Sequence, residues 1–131
     1  MLPTESRLHT AAEFSAVMRS GVRVGSRHVA VHLQRSGRDG VPRAGFVVSS
    51  KVGNSVVRHG VTRKLRHQIR PLLLDLAPGT DVVVRALPAS ISATSAELRS
   101  DLVSSISRAL SKVAGSPRST HAARARKDKR G

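Results

Sequence analysis

The sequence contains no cysteine, tryptophan or tyrosine, only two phenylalanines, and eight acidic residues against 23 basic ones. Without cysteine there are no disulfide staples and no thiolate zinc sites, which suits a reducing compartment such as the cytoplasm. With Phe14 and Phe46 as the sole aromatics, the broad stacking platform of many single-strand binders is missing, so any nucleic-acid recognition must lean on phosphate and shape. Apolar runs such as Val82 to Val84 are far shorter than the roughly 20 residues that cross a bilayer. Met1 to Thr10 has no apolar stretch of the signal-peptide kind. A cytoplasmic protein with no membrane-spanning segment is expected.

What is abundant is positive charge. The 131 residues carry a formal net charge of +15, supplied by 18 arginines and 5 lysines, and the pI is about 12.0. Such a chain repels itself unless a polyanion neutralises it, so RNA, DNA or an anionic membrane surface is the expected partner. Arginine suits the first two, because its planar fork of donors matches phosphate oxygens and base edges. The length and a hydrophobic content of 39% allow one modest core.

Along the chain, Thr10 to Glu13 has the spacing of a capping box, predicting a helix with Phe14, Val17 and Met18 on one face and Gly21 at its end. Val29, Val31 and Leu33 alternate with Ala30, His32 and Gln34, the period of a half-buried strand that leaves His32 at the surface. Ala44 to Ser50 predicts a second strand, paired with the first as a hairpin across the turn-rich Gly37 to Val41. A helix is expected from Asn54 or Ser55 towards Leu74, ending or kinking near Pro71. Asp81 to Leu87 reads as a buried strand. Thr94 to Glu97 repeats the capping-box spacing and opens a helix with Leu98, Leu102, Ile106 and Leu110 in one row, stopped by Gly115-Ser116-Pro117. Residues 116–131 have no large apolar side chain and a net charge of +5, which predicts a basic disordered tail after a domain of residues 1–115. The order of elements is an α+β pattern.

The segment from Arg58 to Arg70 concentrates the charge: Arg58, Arg63, Lys64, Arg66 and Arg70, with His59 and His67 and no acid. Helical spacing puts Val57, Val61, Leu65 and Ile69 in one row and most of the cations on the other side. An ordinary solvated helix mixes signs, because like charges four residues apart repel by about a few tenths of a kcal/mol. A one-signed face therefore favours a nucleic-acid surface. Flanking strands argue against both a membrane-lying helix and the paired helices of a helix-turn-helix DNA reader. The six histidines are scattered, and no carboxylate pair or ligand-spaced cluster accompanies them, so neither a catalytic residue nor a metal site is assigned to the chain.

The stretch Lys51-Val52-Gly53-Asn54-Ser55-Val56-Val57-Arg58-His59-Gly60-Val61-Thr62-Arg63-Lys64-Leu65-Arg66 resembles the signature of the bacterial ribonuclease P protein component. That family has a Lys-x-Gly-Asn-Ala-Val strand exit followed by Arg-Asn-Arg-x-Lys-Arg-x-x-Arg. Leu2-Pro3, Arg7-Leu8, Glu13-Phe14, Gly21 and Val82 to Pro88 extend the resemblance over about residues 1–115. Here His59 stands for the usual Asn, Gly60 for the second Arg and Thr62 for the Lys. The resemblance implies a four-stranded sheet with three helices and a left-handed β-α-β crossover, the fold of ribosomal protein S5 domain 2. It also implies a protein subunit that binds a catalytic RNA and the 5′ leader of precursor tRNA, with Mg²⁺ held mainly by the RNA. By position, Lys51, Asn54, Arg58, His59, Arg63, Lys64, Arg66 and Arg70 would contact the RNA, and Phe14, Met18 and His32 would line the leader cleft. No DNA partner is implied.

Overall fold

The computed structural model describes residues 2–114. Its elements are α1 (Ala11–Ser20), β1 (Val22–Gly25), β2 (Val29–Arg35), β3 (Arg43–Val47), α2 (Ser55–Leu73), β4 (Thr80–Ala86) and α3 (Ser95–Ala114), with short 3-10 turns at Thr4–Ser6 and Pro88–Ser92. The expected tail lies outside the described residues.

Both capping boxes form. The Glu13 amide donates to Thr10 Oγ1 at 3.1 Å while the Thr10 amide donates to Glu13 Oε1 at 3.0 Å. Thr94 and Glu97 exchange the same bonds at 3.1 and 2.8 Å, so each helix start satisfies otherwise orphaned N–H groups. Gly21 ends α1 for a reason other than a left-handed cap: its φ is −82°, and an added Cβ would lie 2.5 Å from the Val17 carbonyl oxygen and 2.7 Å from that of Leu33. Two backbones meet there, and only glycine fits.

The four strands form one mixed sheet in the order β1-β2-β4-β3, with β1/β2 and β2/β4 antiparallel and β3/β4 parallel. The expected β2–β3 hairpin is therefore absent. β4 lies between them because its residues from Thr80 to Val84 are all buried, and a strand with two apolar faces gains most from a central position. β2 pairs instead with β1 and β4, and α2 supplies the crossover between the parallel strands β3 and β4. β3 is also shorter than expected. Its ladder with β4 closes at Val47–Arg85, and a turn follows in which the Val52 amide donates to the Ser49 carbonyl at 3.0 Å.

The larger core lies between one face of the sheet and α2 with α3, around Val31, Leu33, Val82, Val84, Leu65, Ile69, Leu98 and Leu102. A smaller cluster of Leu8, Val17, Val83, Phe14, Met18 and Val47 fills the opposite face under α1. This second layer overturns the half-buried reading of β2: Val29 to Leu33 are buried on both faces. His32, expected at the surface, is 6% exposed for the same reason. Pro71 falls inside the last turn of α2, where loss of one backbone donor ends the helix soon after without disturbing its body.

Candidate nucleic-acid interface

α2 begins where Asn54 accepts a hydrogen bond from the Val57 amide through Oδ1, at 3.0 Å. Asn54 thus acts first as a helix cap. Of the row predicted from the spacing, Val61, Leu65 and Ile69 are buried and Val57 is half-buried, with Leu73 buried one turn further on, and this fixes the rotation of the helix. Lys51, Asn54, His59, Arg63, Lys64 and Arg70 are exposed, and Arg58 and Arg66 are half-buried. The cations do not share one stripe. Arg58, Thr62 and Arg66 follow one another along the border facing β3, while Lys64 lies on the other border, its Nζ 3.5 Å from the Ala93 carbonyl oxygen.

Two hollows open along the β3 border. One, of about 380 Å³, is lined by Phe46, Val48, Ser55, Arg58, His59 and Thr62. The second, of about 320 Å³, joins Arg66 to Phe14, Gly45, Phe46, Arg7 and His9. They share Phe46 and Thr62 and so form one groove around the end of β3. Both aromatics of the chain line it. Nε of Arg7, Arg58 and Arg66 is buried with no hydrogen-bond partner. The Thr62 hydroxyl is already used, donating to the Arg58 carbonyl at 2.8 Å.

Sequence reasoning missed Arg7, His9 and Phe46 as members of this groove. Arg7 reaches it because the N-terminal segment bridges to Ala44 on the outer edge of β3, a tertiary contact with no local signal. Phe46 alternates like any strand core residue, and only the edge position of β3 leaves part of its ring at the rim.

No cation of α2 forms an ion pair among the described residues. Glu13, Asp81, Glu97 and Asp101 are engaged elsewhere, while Glu5, Asp39 and Asp75 are exposed. Asp81, 3% exposed, receives Arg43 through two bonds of 3.0 Å and Arg38 at 2.7 Å. Glu13 receives Arg43 Nη1 at 3.0 Å as well as its capping bonds; the backbone donors of His9 and Thr10, aided by Arg43, hold its pKa at about 2. Asp101 takes bonds from His28 and Ser26; burial acts to raise its pKa, and these bonds together outweigh that and lower it. These acids spend their charge on caps and internal ties, and α2 itself contains no acid, so the helix presents charge of one sign.

Phe14, Met18 and His32 all lie on the α1 side of the sheet. The Phe14 ring sits on Gly45, where an added Cβ would be 2.5 Å from Cε2 and Cζ. Arg23, His32, Val83 and Gly45 form one row across the strands, which puts His32 about 10 Å from Gly45 at two strand spacings. The hollow includes Phe14 and neither Met18 nor His32. His32 has both ring nitrogens buried without a partner. Burial, and then Arg23 and Arg85, lower its pKa and keep the imidazole neutral.

Comparison with known proteins agrees with this architecture. A family model described as Ribonuclease P matches residues 2–110. A ribonuclease P protein component of Mycobacterium sp. (strain KMS) is 43% identical over 117 residues, covering 88% of this chain and 99% of the relative. One from Streptomyces griseus is 45% identical over 118 residues, covering 84% and 96%. In structure, the chain superposes on the RNase P protein of Staphylococcus aureus with a TM-score of 0.70 at 23% identity, covering 79% of this chain and 94% of that one. The Thermotoga maritima protein gives 0.66 at 22% identity, covering 75% and 92%. From the extent of these matches, and from a signature segment that forms the one-signed helix α2, the chain belongs to the family of bacterial ribonuclease P protein components.

Proposed function

We propose that this chain is the accessory subunit of ribonuclease P that grips the catalytic RNA through α2 and holds the 5′ leader of precursor tRNA in the groove beside β3, promoting endonucleolytic removal of the leader. The observation that carries the reading is the groove: Arg58 and Arg66 of α2, without ion pairs among the described residues, line it together with the chain's two aromatics. Arg58, Arg63, Arg66 and Arg70 neutralise phosphates, with Lys51, His59 and Lys64 at the flanks, and Asn54 sets the start of the helix. Phe14 offers one ring face to an unstacked base. Met18 and His32 support it from the same side of the sheet. No helix of the described residues is long and apolar enough to cross a membrane, and the subunit works in the cytoplasm with RNA partners and no DNA.

Mg²⁺ ions belong to the RNA in this reading, where they supply charge neutralisation at the cleaved phosphate. The described residues hold no cluster of three or more metal-binding side chains. The protein's own contribution is to lower the repulsion between two RNA chains, which matters most when Mg²⁺ is scarce.

The test is leader release from precursor tRNA by ribonuclease P RNA at low Mg²⁺, with and without the full chain. Stimulation is expected. Tight RNA binding with no stimulation would instead mark a structural RNA-binding protein. Arg63→Ala and Arg66→Ala should each flatten the salt dependence of RNA affinity by about 0.7 to 0.9 in log–log slope. An unchanged slope in both removes α2 from the interface.

A further inference from the structure

We infer that the sheet edge remote from β3, formed by β1 with the C-terminal half of α3, is a second surface for RNA phosphate backbone. This rests on the RNA partner proposed above and concerns where else that RNA touches the chain. β1 ends the sheet order, so one side of its backbone faces away from β2. Two cations of α3 reach that side: Lys112 Nζ donates to the Arg23 carbonyl at 3.2 Å, and Arg108 donates to the Gly25 carbonyl at 3.5 Å. An ammonium has three donors and a guanidinium five, so most of their capacity is left over. Arg23 is itself exposed, and Arg19 is exposed in the last turn of α1 just before β1.

None of these four cations forms an ion pair among the described residues. The two acids of α3, Glu97 and Asp101, lie in its first half and are occupied. Glu97 caps the helix and faces Arg27 and His28, and Asp101 holds His28 and Ser26. From Leu102 to Val113 there is no acid. Lysine and arginine commonly shield an edge strand from pairing with another chain, which accounts for one donor each of Arg108 and Lys112. It does not account for Arg19 and Arg23, nor for four like charges left without a counter-charge. α3 also leads directly into residues 115–131, which add a net +5 by sequence. The edge has cations without an aromatic among them, which matches a sugar-phosphate backbone. The solvent face of α3 nearby carries Ser104, Ser107 and Ser111, with Val103 the one exposed large apolar side chain of the helix, too little for insertion into a membrane.

The experiment measures the affinity of the full chain for ribonuclease P RNA across salt concentrations. The triple variant Arg23→Gln/Arg108→Gln/Lys112→Gln should lower the log–log slope by about 2 to 3, at about 0.7 to 0.9 per phosphate lost. It should add to the loss from Arg63→Ala/Arg66→Ala. A slope unchanged in the edge variant but lowered in the α2 variant overturns the second surface and leaves the α2 reading standing. A slope unchanged in both overturns the RNA reading itself. Loss of binding to anionic phosphatidylserine vesicles with an unchanged RNA slope assigns the edge to a membrane and refutes the inference. Because the chain has no cysteine, a separate readout independent of the triple variant's folding is available. Ser111→Cys carrying a tethered hydroxyl-radical source should cut the RNA at discrete positions distinct from those cut from His67→Cys. No cutting from position 111 refutes the inference.

Discussion

Arg43→Met tests whether the buried carboxylate network holds the groove together. Arg43 makes two 3.0 Å bonds to Asp81 and one to Glu13, and the Asp81 side chain is 4% exposed. Removing one partner from a buried pair typically costs about 3 to 5 kcal/mol, because the remaining charge is left without compensation. Arg38 still donates to Asp81 at 2.7 Å, and Glu13, with its side chain 30% exposed, keeps its capping bonds. The lower end, about 3 kcal/mol, is therefore expected. With a urea m-value of about 1.5 kcal/mol/M, the unfolding midpoint should fall by about 2 M at unchanged m. Circular dichroism is the probe, since the chain has no tryptophan or tyrosine to follow by fluorescence. Arg43→Met/Asp81→Asn should recover part of the loss, because the uncompensated charge goes with its partner. A midpoint shift below about 0.5 M, or a double variant worse than the sum of the singles, refutes the reasoning.

Three further outcomes are expected. Gly60→Ala should raise stability by about 0.8 to 1 kcal/mol, since helix propensity favours alanine and a Cβ at that interior position of α2 meets nothing within 4 Å; a lower thermal midpoint contradicts it. Gly45→Ala should displace the Phe14 ring at a stability cost of about 1 to 3 kcal/mol and weaken binding of a leader-bearing precursor relative to mature tRNA, read by comparing the two affinities. His32 has a lowered pKa in the fold, so the unfolded chain binds the proton first and stability should decline as pH falls below about 6.5; His32→Leu should flatten that part of the profile in urea titrations at stepped pH.

Much of the fold was legible locally. Both capping boxes, the apolar row of α2 and the valine-rich β4 depend on side chains a few residues apart, and these appear close to the positions their spacing predicts. Strand pairing was not legible in this way. The turn-rich Gly37 to Val41 suggested a hairpin, yet β4 inserts between β2 and β3 because a strand apolar on both faces takes the sheet centre. His32 shows the same limit: alternation assigns it to the outer face of β2, and only the packing of α1 decides that this face is covered.

The sequence by itself determined that the chain is strongly cationic, that a polyanion is its expected partner and that α2 carries cations and no acid, because net charge and local composition are properties of the chain before it folds. Resemblance in the segment from Lys51 to Arg66 narrowed that polyanion to a ribonuclease P RNA. Only the tertiary structure decided that Arg58 and Arg66 line a groove with Phe14 and Phe46, and that Glu13, Asp81 and Asp101 are drawn to Arg38, Arg43 and His28. Those relations join residues distant in sequence, and no local pattern encodes which distant charges will be neutralised and which left free.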